Sequence, residues 1–309
     1  MVLSRRDLLH GFLGLGLTSC LGPFKVLHLN NAAPYELSDP LENISRITFA
    51  HLNAADLRGN TPNLFKFISK EKAYHHAKWL ADFLLAEGVD VITLNEVDYA
   101  GTAKTGGLDQ PKIIAEYMGS PYDYVVFDQY MKSPLWTTGN AVISRFPMQK
   151  HYRRLFGDDG CGFENRLEHL FKDFIHVKLK IGRKEVDLIT THLDNGEDYN
   201  AFRTQEAQEL ADYLAEFTLQ DPDSYTIVSG DYNDGSDSET MKMIMKKGVV
   251  LPPAENFGLK TYQNGNPTHD LDHILASSNI KIHDYRTFVF PWSDHLGLIC
   301  ELEFIENYR

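Results

Sequence analysis

The sequence predicts an α/β protein, a four-layer sandwich of two packed mixed β-sheets flanked by helices. Three observations carry this expectation. Two strand patterns lie close enough to form a hairpin, two long segments are amphipathic helices, and helices and strands mix without strict βαβ alternation. The 309 residues are 43% hydrophobic, enough for a substantial core.

Residues 47–53 read as a first strand, and Ala73, Ala77, Leu80, Ala81 and Leu84 then recur at helical spacing until Gly88. Residues 91–96 form the next strand. A helical segment at 113–118 ends at Gly119, and strand-like runs follow at 122–127 and 141–144. Residues 151–171 read as a long insertion, either a surface loop or one facing substrate. Val177, Leu179 and Ile181 alternate with His176, Lys178 and Lys180, the pattern of a strand with one wet face; residues 186–191 return along it through a turn at Gly182-Arg183. Ala207, Leu210, Ala211, Leu214 and Phe217 mark a second amphipathic helix, residues 225–229 a strand, and residues 238–247 a short helix stopped by Gly248. Two strands close the chain. In the last, Leu296, Leu298, Cys300, Leu302 and Phe304 share one face, opposite Glu301 and Glu303.

At the N-terminus, Ser4-Arg5-Arg6-Asp7 puts a twin arginine before an apolar stretch at 11–17 that is too short to span a bilayer as a helix. The stretch ends in Leu17-Thr18-Ser19-Cys20, which resembles the lipobox of bacterial lipoproteins. That resemblance implies a signal peptide over 1–19, acylation of Cys20, an anchor or linker over 20–45, and export to the bacterial cell envelope with the lipid held at the membrane surface. The bland reading is an apolar N-terminal helix with a buried cysteine. Cys161 and Cys300 then remain as thiols that can pair, although Cys300 sits in an alternating strand as a small core hydrophobe. No Pro/Gly/Ser-rich linker interrupts the rest, so a single domain is expected over 46–305.

Forty-three acidic against thirty basic residues leave a formal charge of -13, which opposes long-range attraction to nucleic acid or anionic lipid. This excludes a protein that coats DNA non-specifically. It leaves a nuclease possible, because cations held by a carboxylate cluster reverse the local field that a phosphate meets.

Polar residues suited to catalysis fall at strand ends or in the following turns: Asn53, Glu96, His192, Asp231, Asn233, Asp294 and His295. Each alone has a dull explanation, as a turn cap, a solvated strand end or a satisfied histidine. Together with their neighbours they form an ordered series: His51-Leu52-Asn53, Leu94-Asn95-Glu96-Val97, Gly139-Asn140-Ala141-Val142-Ile143-Ser144-Arg145, Thr191-His192-Leu193, Gly230-Asp231-Tyr232-Asn233, Leu271-Asp272-His273-Ile274-Leu275 and Ser293-Asp294-His295. The series resembles, in order and spacing, the motifs of the endonuclease/exonuclease/phosphatase superfamily, and it runs from residue 47 to residue 304. The resemblance implies a metal-dependent phosphoester hydrolase. Two departures stand out: Asn95 occupies a place where glutamine is common, and Leu296 follows the final histidine.

Phosphoester hydrolysis needs an anion neutralised, a water deprotonated and a departing oxygen stabilised. Oxygen donors suit Mg2+, Mn2+ or Ca2+, with Glu96 and Asn53 as its holders and Asp294 as a further ligand. His295 can deprotonate water or hold a phosphoryl oxygen, and by resemblance it forms the family's Asp-His pair with Asp272. His192 would bond the phosphate and assist the leaving group, Asp231 would position water, and Asn233 would donate to developing charge. Whether Asp231 or His295 takes the proton stays open. Being two apart, Asp231 and Asn233 would face one site from an extended backbone.

The substrate is expected to be a phosphodiester, in a nucleic acid or a lipid headgroup, and the protein is expected to act as a monomer. Residues 230–235, 268–275 and 291–297 contribute Asp231, Asp234, Asp270, Asp272 and Asp294 but no Arg or Lys, which disfavours the extra charge of a monoester. Arg145, Arg166 or Arg203 would change that balance by folding in. The alternatives are a phosphomonoesterase of inositol or sugar phosphates and a surface-anchored binding module without catalysis. Zinc-peptidase and serine-hydrolase chemistry are disfavoured, because no His-Glu-x-x-His or Gly-x-Ser-x-Gly segment is present.

Overall fold

Apolar periodicity and local capping together explain where the helices lie. In the computed structural model, which describes residues 27–29, 44–59, 67–98, 102–132, 137–156, 172–195, 200–263 and 266–305, helix α1 spans Lys70–Ala86. Ser69 caps it by accepting from the Lys72 N–H at 3.3 Å, and Gly88 ends it with a φ of 65° that other residues adopt at a cost. Helix α2 (Gln110–Met118) starts under the Asp109 carboxylate with Pro111 in its first turn. Helix α3 is Asn200–Gln220, and α4 (Glu239–Met245) is capped by Ser238. Residues 1–26, with the expected signal segment and Cys20, lie outside the described residues, as do Cys161 and Arg166.

The strands are β1 (Leu27–Leu29), β2 (Arg46–Asn53), β3 (Val91–Val97), β4 (Tyr124–Lys132), β5 (Thr137–Ser144), β6 (Met148–Leu155), β7 (Asp173–Ile181), β8 (Lys184–His192), β9 (Tyr225–Asp231), β10 (Asp272–Ala276), β11 (Ile280–Val289) and β12 (Leu296–Phe304). One sheet has the order β1-β4-β5-β3-β2-β12-β11 and the other β10-β9-β8-β7-β6. Each contains one parallel pair, β2 with β3 and β8 with β9, among antiparallel neighbours, so both sheets are mixed. The β7–β8 hairpin turns at Gly182-Arg183 as expected. Strand β1, from the stretch read as linker, adds a short edge beside β4.

Three apolar interfaces define four layers. Leu80, Leu84, Ile92 and Ile299 pack between α1–α2 and the first sheet. Phe49, Val177, Leu188, Leu298, Cys300 and Leu302 fill the space between the sheets. Leu210, Leu214, Val228 and Ile244 join the second sheet to α3–α4. Alternate residues of β12 therefore point into different cores, and Cys300 is a buried free thiol that packs as a hydrophobe.

Three local expectations need correction. Residues 148–155, partly read as insertion, form edge strand β6 on β7; its charged Lys150, Arg153 and Arg154 hide a strand period, as they commonly do on edges. Strand β10 was not foreseen, because its five residues open on Asp272 and His273 and leave only Ile274, Leu275 and Ala276 as an apolar run, too short to show a period. His176 is not on a wet face. It is 2% exposed beneath α3, with the Tyr213 hydroxyl 2.7 Å from Nδ1 and Asp187 2.8 Å from Nε2.

Candidate active site

Register, more than sequence distance, brings the predicted residues together. Asn53 sits opposite Asn95 at the end of the parallel pair β2–β3, and His192 sits opposite Asp231 at the end of β8–β9. Asp231 in turn pairs with Asp272, the first residue of antiparallel β10. His295 immediately precedes β12, so that strand enters from the same edge. Glu96 occupies a bulge in β3, where the pairing with β5 slips between Leu94 and Val97, and its φ of 49° lies in the left-handed region.

The Asp231 carboxylate is the hub of the site. Asn53 Nδ2 donates to its Oδ2 at 2.9 Å, with His192 Nε2 at 3.6 Å and His295 Nε2 at 3.7 Å from the same oxygen. Asn53 Nδ2 also lies 3.4 Å from Glu96 Oε1, which is 3.9 Å from His192 Nε2. On its other side, His295 Nδ1 donates to Asp272 Oδ2 at 2.7 Å. Asp294 is half-buried on the rim, and its negative charge favours the protonated forms of both His295 and Tyr262. The expected Asp-His pair and the clustering of Asn53, Glu96, His192 and Asp231 are therefore present as geometry.

Burial and charge set the proton affinities. Burial, reinforced by the charge of Asp272, pushes Asp231 up to about 7 against the opposing pull of His295 and Asn53. Burial penalises the His295 imidazolium, but the charges of Asp272 and Asp231 and the Asp272 hydrogen bond outweigh it and raise the ring to about 10. Burial also penalises the Asp272 carboxylate. Here the charge and hydrogen bond of His295, with a hydrogen bond from His51, hold it well below the usual carboxylate range.

Asn233 reaches the site by a different route from the one expected. Its φ is 51°, so the chain turns instead of continuing extended. Its N–H donates to Asp231 Oδ1 at 2.9 Å and its side-chain amide donates to the Leu193 carbonyl at 2.8 Å, tying the ends of β8 and β9 together.

Several supporting residues have no role assigned from the sequence. Asn95 Oδ1 accepts the Asp231 N–H at 2.9 Å, and Asn95 Nδ2 donates to Asn140, which donates to Asp173. The position where glutamine is common thus aligns the hub. Ser293 donates to the Asn53 carbonyl and accepts from the His295 N–H. Asn95, Asn140 and Ser293 lie inside the family-like motifs, whereas Asp173 does not. Thr261 and Tyr262 gave no signal: Thr261 Oγ1 accepts from the Asp272 N–H at 3.1 Å, and the Tyr262 ring lies 5.0 Å from that of His295.

Of the arginines considered, Arg145 pairs with Asp90 at 2.7 Å, and Arg203 does fold in, contacting Asp234 at 3.5 Å and donating to the Asp194 carbonyl. Lys104 was not foreseen. It is buried against Asp56 at 2.6 Å, with Arg58 at 3.2 Å from the same oxygen, and it feels the charge of Glu96.

The four-layer sandwich thus gathers a cluster of acid, amide and histidine side chains where strands of its two sheets end. The model of the Endonuclease/Exonuclease/phosphatase family matches residues 63–295, and the chain belongs to that family, a family of phosphoester hydrolases. It is 26% identical over 202 residues to sphingomyelinase C 1 of Leptospira interrogans, covering 56% of this chain and 33% of that protein. The chain thus spans about a third of the length of this curated relative. Its fold is similar to an endonuclease/exonuclease/phosphatase from Beutenbergia cavernae (TM-score 0.63, 18% identity, 85% of this chain and 72% of the other). It is also similar to a mannosyl-6-phosphatase from Bacteroides thetaiotaomicron (TM-score 0.58, 16% identity, 84% and 100%).

Proposed function

We propose that the protein is a divalent-metal-dependent phosphodiesterase acting on a nucleic acid or a lipid headgroup. The observation that carries this reading is the hub at Asp231 Oδ2, shared by Asn53, His192 and His295, with the Glu96 side chain 34% exposed beside it. The donor chemistry fits a hard cation: Glu96 and Asp294 offer carboxylates, and Asn53 an amide oxygen with two acceptor sites, one taken by the Ala55 N–H at 3.1 Å. A buried group of Asp231, Asp272 and His295 also brings one ligand atom of each within 4.8 Å. Both Asp272 oxygens there already receive histidine N–H groups, so we assign the cation to Glu96, Asn53 and Asp294. Mg2+, Mn2+ or Ca2+ bound there would supply Lewis-acid stabilisation of charge on the phosphoryl group.

The proton affinities suggest a division of labour. Asp231, at about 7, is poised to accept a proton from water, whereas His295, at about 10, is poised to donate a charged hydrogen bond to a phosphoryl oxygen. His192 would support the phosphate or the departing oxygen from the opposite side of the hub, and Asn233 would hold the strand ends in place. The diester preference follows from charge. Glu96, Asp231 and Asp294 bring carboxylates to the site beyond the Asp272–His295 pair, and a monoester would add two negative charges to them where a diester adds one. The Leptospira relative is named for sphingomyelin, whose headgroup linkage is a phosphodiester, and this supports the same reading.

The test combines chelation with two variants, using DNA, RNA, sphingomyelin and inositol phosphates as substrates. Chelation should abolish hydrolysis and Mg2+ or Mn2+ should restore it. Glu96→Gln should weaken apparent metal affinity, while His295→Ala should leave it nearly intact and cut turnover by a factor on the order of 10²–10⁴. Full activity in metal-free buffer, or equal loss of metal binding in both variants, would defeat the assignment.

A further inference from the structure

We infer that His51 is a positioning residue for the proposed hydrolysis, which fixes the Asp272 carboxylate, and through it the His295 ring, by a one-way chain of hydrogen bonds from Ser229 through Thr93. The inference rests on the reading of His295 as a working group of the site. His51 opens the motif that ends in Asn53. It lies fully buried, with Nε2 3.3 Å from Asp272 Oδ1 and Nδ1 2.9 Å from Thr93 Oγ1. Thr93 Oγ1 is 2.8 Å from Ser229 Oγ, also fully buried.

Donor and acceptor counting gives this chain its direction. The Asp272 carboxylate only accepts, so both histidines must donate to it, His295 from Nδ1 and His51 from Nε2. In its neutral form His51 must then accept at Nδ1, which makes Thr93 the donor. The hydroxyl proton of Thr93 is thereby used, because its other acceptor, the Ala50 carbonyl, stands at 3.5 Å. Ser229 therefore donates to Thr93. The four residues come from β10, β2, β3 and β9, so the chain runs across both sheets beneath the site.

The consequence concerns orientation. Each Asp272 oxygen receives one histidine N–H, which fixes the rotation of the carboxylate and hence the plane of the His295 ring that faces Asp231 at 3.7 Å. Without the His51 donor, Oδ1 is left buried and unpaired, and the carboxylate can turn to serve His295 from other angles. An apolar side chain would fill the same space with less desolvation, so the buried polar chain suggests a role in orientation.

The experiment has two arms. In metal-free wild-type protein, ¹⁵N-histidine NMR should show His51 with its proton on Nε2 and His295 with a proton on Nδ1. A proton on His51 Nδ1 in the neutral ring would overturn the inference with no variant needed. In the loaded enzyme, Thr93→Val, which keeps the shape and removes the hydroxyl, should lower kcat about tenfold or more with little change in KM, and Thr93→Ser should restore it. His51→Gln should fall between them. Wild-type kcat in both Thr93→Val and His51→Gln would refute the positioning role. Retained turnover in His295→Ala would instead bring down the reading of the site, while leaving the His51 proton assignment where the NMR puts it.

Discussion

Asp231 and His295 lie 3.7 Å apart in a buried place, and the proton they manage is the most informative single feature of the site. His295 has a folded value of about 10, above its ordinary value of about 6.5. Its contribution to stability is therefore fully present below pH about 6.5 and is lost as pH rises through about 10. Asp231, raised to about 7 by burial and by Asp272, acts in the same sense: folding favours its protonated form, and that contribution is lost as pH rises from about 4 to 7. Metal-free protein should thus become less stable from neutral to alkaline pH. In ¹⁵N NMR with chelator present, the His295 ring should titrate near 10, and Asp272→Asn should bring it down. A ring titrating near 6.5 would contradict the charge arrangement described here.

Strand ends do the assembling. The parallel pair β8–β9 sets His192 beside Asp231, and it can do so only because Gly230 has no side chain: a Cβ there would lie well inside van der Waals contact with the Thr191 carbonyl. Gly230→Ala should force the two strands apart, destabilise the fold by about 1–3 kcal/mol and lower turnover more than a comparable substitution elsewhere in the core. Denaturant unfolding together with kcat measures both effects, and an alanine variant with wild-type stability would show that the strands are not so tightly held.

The same elements show what sequence could reveal. Helices α1 and α3 were legible from apolar spacing, and the β7–β8 hairpin from alternation around Gly182-Arg183. Asn53, Glu96, His192, Asp231 and His295 were legible because each terminates or precedes an apolar strand. Strand β6 was hidden by its edge charges and β10 by its length. Asn233 was placed by a left-handed turn that two-residue alternation cannot express. Thr261, Tyr262 and Lys104 reach the site through loops, whose contacts leave no periodic trace in the chain.

The molecule as a whole places the working ends of two sheets at one edge of a four-layer sandwich, and among its described residues no helix is long and apolar enough to cross a membrane. Membrane attachment is proposed instead through acylation of Cys20, with the lipid, not a helix, as the anchor. Metabolic labelling with a fatty-acid analogue should mark the wild type and spare Cys20→Ser, and an unlabelled wild type would remove the anchor.

The preference for diesters belongs to the same level, because it depends on the net charge that all segments bring to the site. Glu96, Asp231 and Asp294 surround the charge-compensated Asp272–His295 pair with further carboxylates. A phosphomonoester approaches two negative charges at neutral pH, and a diester carries one. The decisive measurement is kcat/KM for bis-p-nitrophenyl phosphate and for p-nitrophenyl phosphate at fixed Mg2+, each divided by its uncatalysed rate and repeated in Glu96→Gln. Phosphodiester hydrolysis at this site predicts the larger enhancement for the diester and its collapse in the variant. A larger enhancement for the monoester, or a diester rate unmoved by Glu96→Gln, would contradict it.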